Sequence, residues 1–159
     1  MNKQNKEFSI RKLRWKLFLL GVFKIPIIGF IRPELTEINS KDVRVKIRLK
    51  RKSKNHLNAM YFGALAVGAD IAGGIHVFYF SETLGKKISF SFKGMKCEFL
   101  KRAETDVVFE STQGELIEQA IIESVQTGER INKTIQVNAY NLENEIVATF
   151  EMIASLKVI

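Results

Sequence analysis

The chain has 159 residues, 46% of them hydrophobic and 26% charged, with ten glycines and two prolines, which excludes a disordered tail, a collagen-like repeat and a mucin-like stalk. Its single cysteine, Cys97, excludes an internal disulfide framework and a cysteine-rich zinc site within one chain. Residues 1–54 carry 16 Lys and Arg against four Asp and Glu, net +12, whereas residues 55–159 carry net −4, an asymmetry that points to nucleic acid, an acidic membrane surface or a phosphate-rich ligand.

At this length the chain is expected to form one domain, residues 1–159, in which residues 1–30 are a helix-and-loop extension. Phe8 to Phe23 places Ile10, Leu13, Leu17 and Leu20 at near-helical spacing among Arg11, Lys12, Arg14 and Lys16, which predicts an amphipathic helix. Its Trp15, Phe18 and cations suit a cap over a hydrophobic core, a membrane surface or an acyl-chain portal. Lys16, Lys24 and Pro26 interrupt the apolar stretch Trp15–Ile31, and no small-residue cleavage site follows, so a secretory signal is not expected. A cytoplasmic location follows as an expectation. Lys24 to Pro33 reads as a loop.

Val43 to Lys50 alternates strictly, with Val43, Val45, Ile47 and Leu49 on one side and Arg44, Lys46, Arg48 and Lys50 on the other. Period two predicts a half-buried strand, with Glu34–Ile38 as its hairpin partner across Asn39–Asp42. The cations continue through Arg51, Lys52 and Lys54, either as a solvated face or as a contact for phosphates. Without an accompanying aromatic ladder, nucleic acid is the weaker of the phosphate readings.

Ala59 to Phe80 has bilayer length, yet it holds Asp70, His76 and four glycines. A helix apolar on nearly all sides is expected where a sheet wraps around it. Lys87–Phe92, Met95–Lys101, Val107–Glu110, Ile131–Tyr140 and Ile146–Leu156 read as antiparallel strands. Between them, Thr112-Gln113-Gly114-Glu115 has capping-box spacing before a helix that closes at Gly128.

An early hairpin, a long buried helix and about four further strands is the element order of the hotdog fold, an α+β arrangement in which an antiparallel sheet wraps a central helix. The run from Asn55-His56 through Tyr61-Phe62-Gly63 to Asp70 resembles phenylacetate-pathway-type acyl-CoA thioesterases, where an Asn and a His-Gly-Gly turn precede a helix bearing an acid. Lys24–Phe30, Asn55-His56 and Tyr61–Leu65 further resemble an uncharacterised thioesterase-like branch of hotdog proteins, over roughly residues 15–158. The resemblance implies hydrolysis of an acyl thioester of coenzyme A or an acyl carrier protein. It implies no metal or organic cofactor, and a site between two subunits of a homodimer or a dimer of dimers. Asp70 falls on the family's acid and Gly63 on its last glycine, while Tyr61 and Phe62 replace the His-Gly pair.

The residues can be weighed separately against that chemistry. Asp70 in an apolar run is a candidate base with a raised pKa, or a structural residue. The helix start near Tyr61–Gly63 offers unpaired N–H groups to a thioester oxygen, and Gly63 admits close approach. Asn55 is a candidate to hold water or carbonyl, and His56 to touch substrate; both suit equally a loop that bonds its own backbone. Arg44, Arg48, Arg51, Lys52 and Lys54 are candidates for the phosphates of coenzyme A. His76 reads as a buried, hydrogen-bonded histidine, Cys97 as a packing thiol, and no metal site is expected. The rival reading is an acyl- or lipid-binding module without turnover, in peripheral contact with a membrane through the first helix.

Overall fold

The computed structural model describes residues 10–159; Phe8 and Ser9, the predicted start of the first helix, lie outside them. Helix α1 spans Ile10–Leu19 and passes into a π-helical segment, Leu20–Lys24. Leu13 and Leu17 are its buried residues, as the predicted spacing requires. The expected loop at Lys24–Pro33 is instead a short helix, α2, Pro26–Ile31. Proline at its first position has φ preset for a helix, and burial of Ile28 and Ile31 three residues apart holds the single turn in place. Six residues are too few for the period to be legible in sequence.

Strands β1 (Glu34–Ile38) and β2 (Val43–Ile47) form the expected hairpin. Strand β2 stops three residues before Lys50, because Leu49 N–H turns away to the Asp106 carboxylate and Lys50 N–H to the Ser53 hydroxyl. Helix α3, Phe62–Leu84, follows. The two strands expected at Lys87–Phe92 and Met95–Lys101 are one, β3 (Ile88–Phe99), with a register shift between Phe92 and Gly94. A bulge at that point adds a residue without ending the strand. Strand β4 (Val107–Ser111), helix α4 (Gly114–Thr127), and strands β5 (Ile131–Tyr140) and β6 (Ile146–Val158) complete the chain. The capping box does not form: Gln113 is the residue before α4 and makes no cap, its side-chain oxygen accepting instead from Gln136 N–H.

All six strands pair antiparallel in the order β1-β2-β4-β5-β6-β3, so β1 and β3 are the edges. Helix α3 lies against this sheet, and its buried residues go around the helix. A Cβ on Gly68 would come within 2.2 Å of the Phe109 ring, and one on Gly73 within 2.5 Å of Met152. Only glycine lets β4 and β6 side chains reach the helix backbone there. The length and composition of α3 would also cross a bilayer, but the fold uses it as the core helix of the sheet. This is the hotdog arrangement that the sequence predicts.

Candidate active site

Asp70 sits in the ninth position of α3 and is half-buried. Burial alone raises its carboxyl above the usual carboxylate range. No described residue hydrogen-bonds or pairs with it, so the desolvation is uncompensated. Gly63, Val67, Asp70 and Gly74 follow one another at helical spacing and share one face of α3. A Cβ on Gly74 would lie 3.1 Å from the Phe90 ring, so this face turns toward β3, the open edge of the sheet.

The helix begins where the sequence predicts. Tyr61 is extended (φ −62°, ψ 137°), and its carbonyl accepts from both Ala64 and Leu65 N–H. Phe62 and Gly63 N–H have no acceptor among the described residues and no side-chain cap. Two adjacent donors at the positive end of a 23-residue helix can stabilise an oxyanion. Above them stand the two rings that replace the smaller residues of the resembled turn. A Cβ on Gly63 would meet the Tyr61 ring at 2.5 Å, so this ring covers Gly63. The exposed Phe62 ring packs on Tyr61 at 4.6 Å and edge-on to Phe99 of β3 at 6.3 Å.

Asn55 holds the loop before the helix. Its side-chain oxygen accepts from Leu57 N–H at 2.9 Å and Ala59 N–H at 3.2 Å, and its backbone N–H donates to Ala59. The oxygen is thus occupied by the loop, whereas the carboxamide NH2 has no described partner. His56 is exposed on the same loop and makes no hydrogen bond to Asp70.

The basic stripe divides in two. Arg44 bonds Glu110 at 2.7 Å, Arg48 bonds Glu34 at 2.8 Å, and Lys46 bonds Asp106 at 3.1 Å. The hydrogen bond and charge of Glu110 raise the Arg44 pKa further. These cations are balanced within the sheet. Arg51 and Lys54 have no described ion-pair partner, and Lys52 lies 5.5 Å over the Phe30 ring. Desolvation, then Arg32 and Lys50, lower the Lys52 pKa.

His76 is buried, with Nε2 3.1 Å from the Asn39 carbonyl oxygen, and burial lowers its pKa. Six residues after Asp70 it points about 120° away and belongs to the packing against the hairpin turn. Cys97 is exposed on β3 and does not pack inside; odd and even positions toward the end of this edge strand are alike uncovered. Among the described residues no three His, Cys, Asp or Glu side chains gather to hold a metal.

Sequence reasoning misses the cavities. One of about 670 Å³ opens between α1, α2 and β1, with Leu17, Phe18, Ile28 and Leu35 on its walls and Arg14 and Arg32 at its polar side. A second, about 360 Å³, is lined by Leu20, Phe23, Ile75 and Phe78. Neither touches Asp70, and both depend on α2 and the π-helical segment, which the pattern of the sequence does not reveal.

The fold recurs in solved structures. A Pseudomonas aeruginosa protein of unknown function, called a probable thioesterase, is 21% identical with a TM-score of 0.77, over 96% of this chain and 97% of its own. A Shewanella oneidensis protein named as a presumed thioesterase is 12% identical with a TM-score of 0.79, over 93% and 99%. A Haemophilus influenzae thioesterase is 11% identical with a TM-score of 0.67, over 96% and 93%. Among curated proteins none matches this chain in sequence. The pattern of a domain of unknown function, DUF4442, matches residues 14–156, most of the chain, and the protein belongs to that family.

Proposed function

We propose that the protein hydrolyses an acyl thioester, with Asp70 of one subunit activating water and the α3 N-terminus of a second subunit receiving the thioester oxygen. The observation that carries this reading is Asp70 itself, a half-buried carboxylate with a raised pKa, no described partner, and a position on the face that meets the open sheet edge. Among the described residues no buried side-chain oxygen lacks a partner, so the Asp70 oxygens are open to solvent and a water can reach them.

Within one chain the parts are too far apart. Gly63 and Asp70 are separated by seven residues, about 10 Å of helix axis, whereas a general base acts within about 3 Å or through one water. A second copy related by two-fold symmetry solves this by bringing its own helix start to Asp70. The twelve-residue edge strand β3 is suited to pair with its own copy, since Met95, Phe99 and nearby Leu100 are exposed beside unpaired backbone groups.

In the step itself, Asp70 takes a proton from water as the oxygen attacks the thioester carbon. Phe62 and Gly63 N–H stabilise the oxyanion, which collapses with breaking of the C–S bond. The proton on Asp70 passes to the departing thiolate, leaving a carboxylic acid and a thiol. Asn55 NH2 is free to steady the water or the carbonyl. Arg51, Lys52 and Lys54 are the cations left to meet the phosphates of coenzyme A or a carrier protein's prosthetic arm, since Arg44 and Arg48 are already balanced. Coenzyme A enters as part of the substrate, not as a cofactor.

A second reading, acyl binding without turnover, is favoured by one observation: the Tyr61 ring occupies the space over Gly63. Thiol release from short, aromatic and long acyl-CoAs separates the two. Turnover that Asp70→Asn abolishes in folded protein supports hydrolysis; binding of the same esters without thiol release supports the second reading and overturns the first.

A further inference from the structure

The N-terminal segment presents three different faces. On α1, Leu13 and Leu17 point into the core, and at about 100° per residue Trp15 projects on the opposite side. Arg11 and Phe18 flank it, and the Trp15 and Phe18 rings stack at 5.3 Å. Lys12 and Lys16 lie on one shoulder, where both engage Glu82 of α3, and Arg14 on the other, where it donates to the Leu35 carbonyl. A globular helix needs only two faces; the outer apolar ridge between cationic shoulders is left over.

Exposed apolar side chains continue beyond α1. Phe23 is 73% exposed, and across the turn Ile27 and Phe30 are 56% and 59% exposed. These two groups are held together by a backbone crossing: a Cβ on Gly21 would lie 2.7 Å from Gly29 N, and one on Gly29 only 2.5 Å from Gly21 O. Two glycines in direct contact fix the π-helical segment and α2 as one platform. Lys52 from the loop after β2 sits over the Phe30 ring and adds a cation to its rim.

Charge decides what covers this platform. Residues 8–33 contain six Lys and Arg and no Asp or Glu. Glu82 offsets only one of these charges, and Arg11 and Lys24 have no described ion-pair partner. A second copy laid on the same face would set cations against cations. Exposed rings between long cationic side chains suit the boundary of an anionic bilayer, where the rings enter the acyl region and the cations reach the phosphates. We propose that α1, the π-helical segment and α2 dock the protein on anionic phospholipid membranes through Trp15, Phe18, Phe23, Ile27 and Phe30, with Arg11 and Lys24 meeting lipid phosphates. This stands apart from thioester hydrolysis, because none of those seven residues belongs to that site and Lys52, at the rim, is no part of the docking set.

Trp15 is the only tryptophan and so reports on this face directly. The test adds vesicles of phosphatidylcholine, with and without phosphatidylglycerol, to the 159-residue chain. Expected are a blue shift of Trp15 emission and its quenching by brominated lipid with the anionic vesicles, both weakened by salt. Phe23→Asp/Phe30→Asp keeps the reporter and should lower partitioning at least roughly tenfold. Arg11→Glu/Lys24→Glu keeps the rings and should remove the preference for anionic vesicles, which keeps the test decisive if the first variant misfolds. No emission change with either vesicle, or unchanged partitioning of both folded variants, overturns the proposal. So does a fall in sedimenting mass caused by Phe23→Asp/Phe30→Asp, which would make a second copy the occupant. Acyl-CoA is absent throughout, so failure here and failure of the hydrolytic reading are distinguishable.

Discussion

Gly63 and Asp70 lie on the same face of α3, two helical turns and about 10 Å apart, with the Tyr61 ring over the first and no described partner on the second. That separation is too long for one catalytic centre within a single chain, and on the proposed reading two chains share it.

Asp70→Asn should lower kcat by roughly 10²- to 10⁴-fold while leaving the fold intact, because no described hydrogen bond is lost. The pH dependence has a definite sign. Because the folded-state pKa is raised, the native state holds the Asp70 proton more tightly than the unfolded chain. Its favourable contribution is therefore complete below the unfolded value and is lost as pH rises through the folded one. Thermal melts should show Asp70→Asn gaining on wild type above that range, while wild-type activity falls as pH drops through it.

Tyr61→Ala should raise kcat/KM if the ring restricts access to Gly63, and steady-state kinetics of wild type and variant on one acyl-CoA measure it. A lower value would mean that the ring contacts substrate, and an unchanged one that it neither obstructs nor contacts it.

Met95→Glu/Leu100→Glu places two charges beside the outer edge of β3. Sedimentation velocity should then show a monomer, and turnover should fall with dimer content, because each proposed site draws on two chains. A monomer with full activity would sink the shared site.

Neutralising Arg51, Lys52 and Lys54 to Gln should raise KM and flatten its salt dependence with kcat nearly unchanged. Arg44→Gln and Arg48→Gln should change KM less, since their charges are already met by Glu110 and Glu34. Equal effects from the two sets at high and low salt would remove the phosphate assignment.

Glu82 anchors α1 to α3 through Lys12 and Lys16, which lower its pKa from 4.5 to about 2. A lowered folded pKa contributes stability above the unfolded value that is lost as pH falls through the folded one. Glu82→Gln should therefore reduce Tm near neutrality by about 1 to 3 °C, the scale of a partly exposed ion pair in a chain of this size. Near pH 2 calorimetry should find a much smaller difference.

Several features were decided by local sequence alone. The alternation from Val43 to Ile47 and along Ile131–Tyr140 specifies strands with one buried side, because side chains on a pleated strand must alternate. The apolar run with Asp70 in it specifies a buried helix carrying a desolvated acid, and Gly128 takes the left-handed conformation expected of a helix end (φ 72°). Element order then carries the fold class.

What the tertiary structure alone decided involves partners distant in the chain or conformations with several local solutions. Arg44 looks like a free cation until β4 brings Glu110 beside it, 66 residues later. Asn55 has a side chain able to serve water or backbone, and only the closed loop shows its oxygen spent on Leu57 and Ala59. Cys97 has the composition of a core residue and lies exposed because β3 is an edge, a fact of strand order rather than of its neighbours. The Gly21–Gly29 crossing that joins two exposed ridges has no periodic signature at all, since contact between two backbones depends on how the chain returns in space.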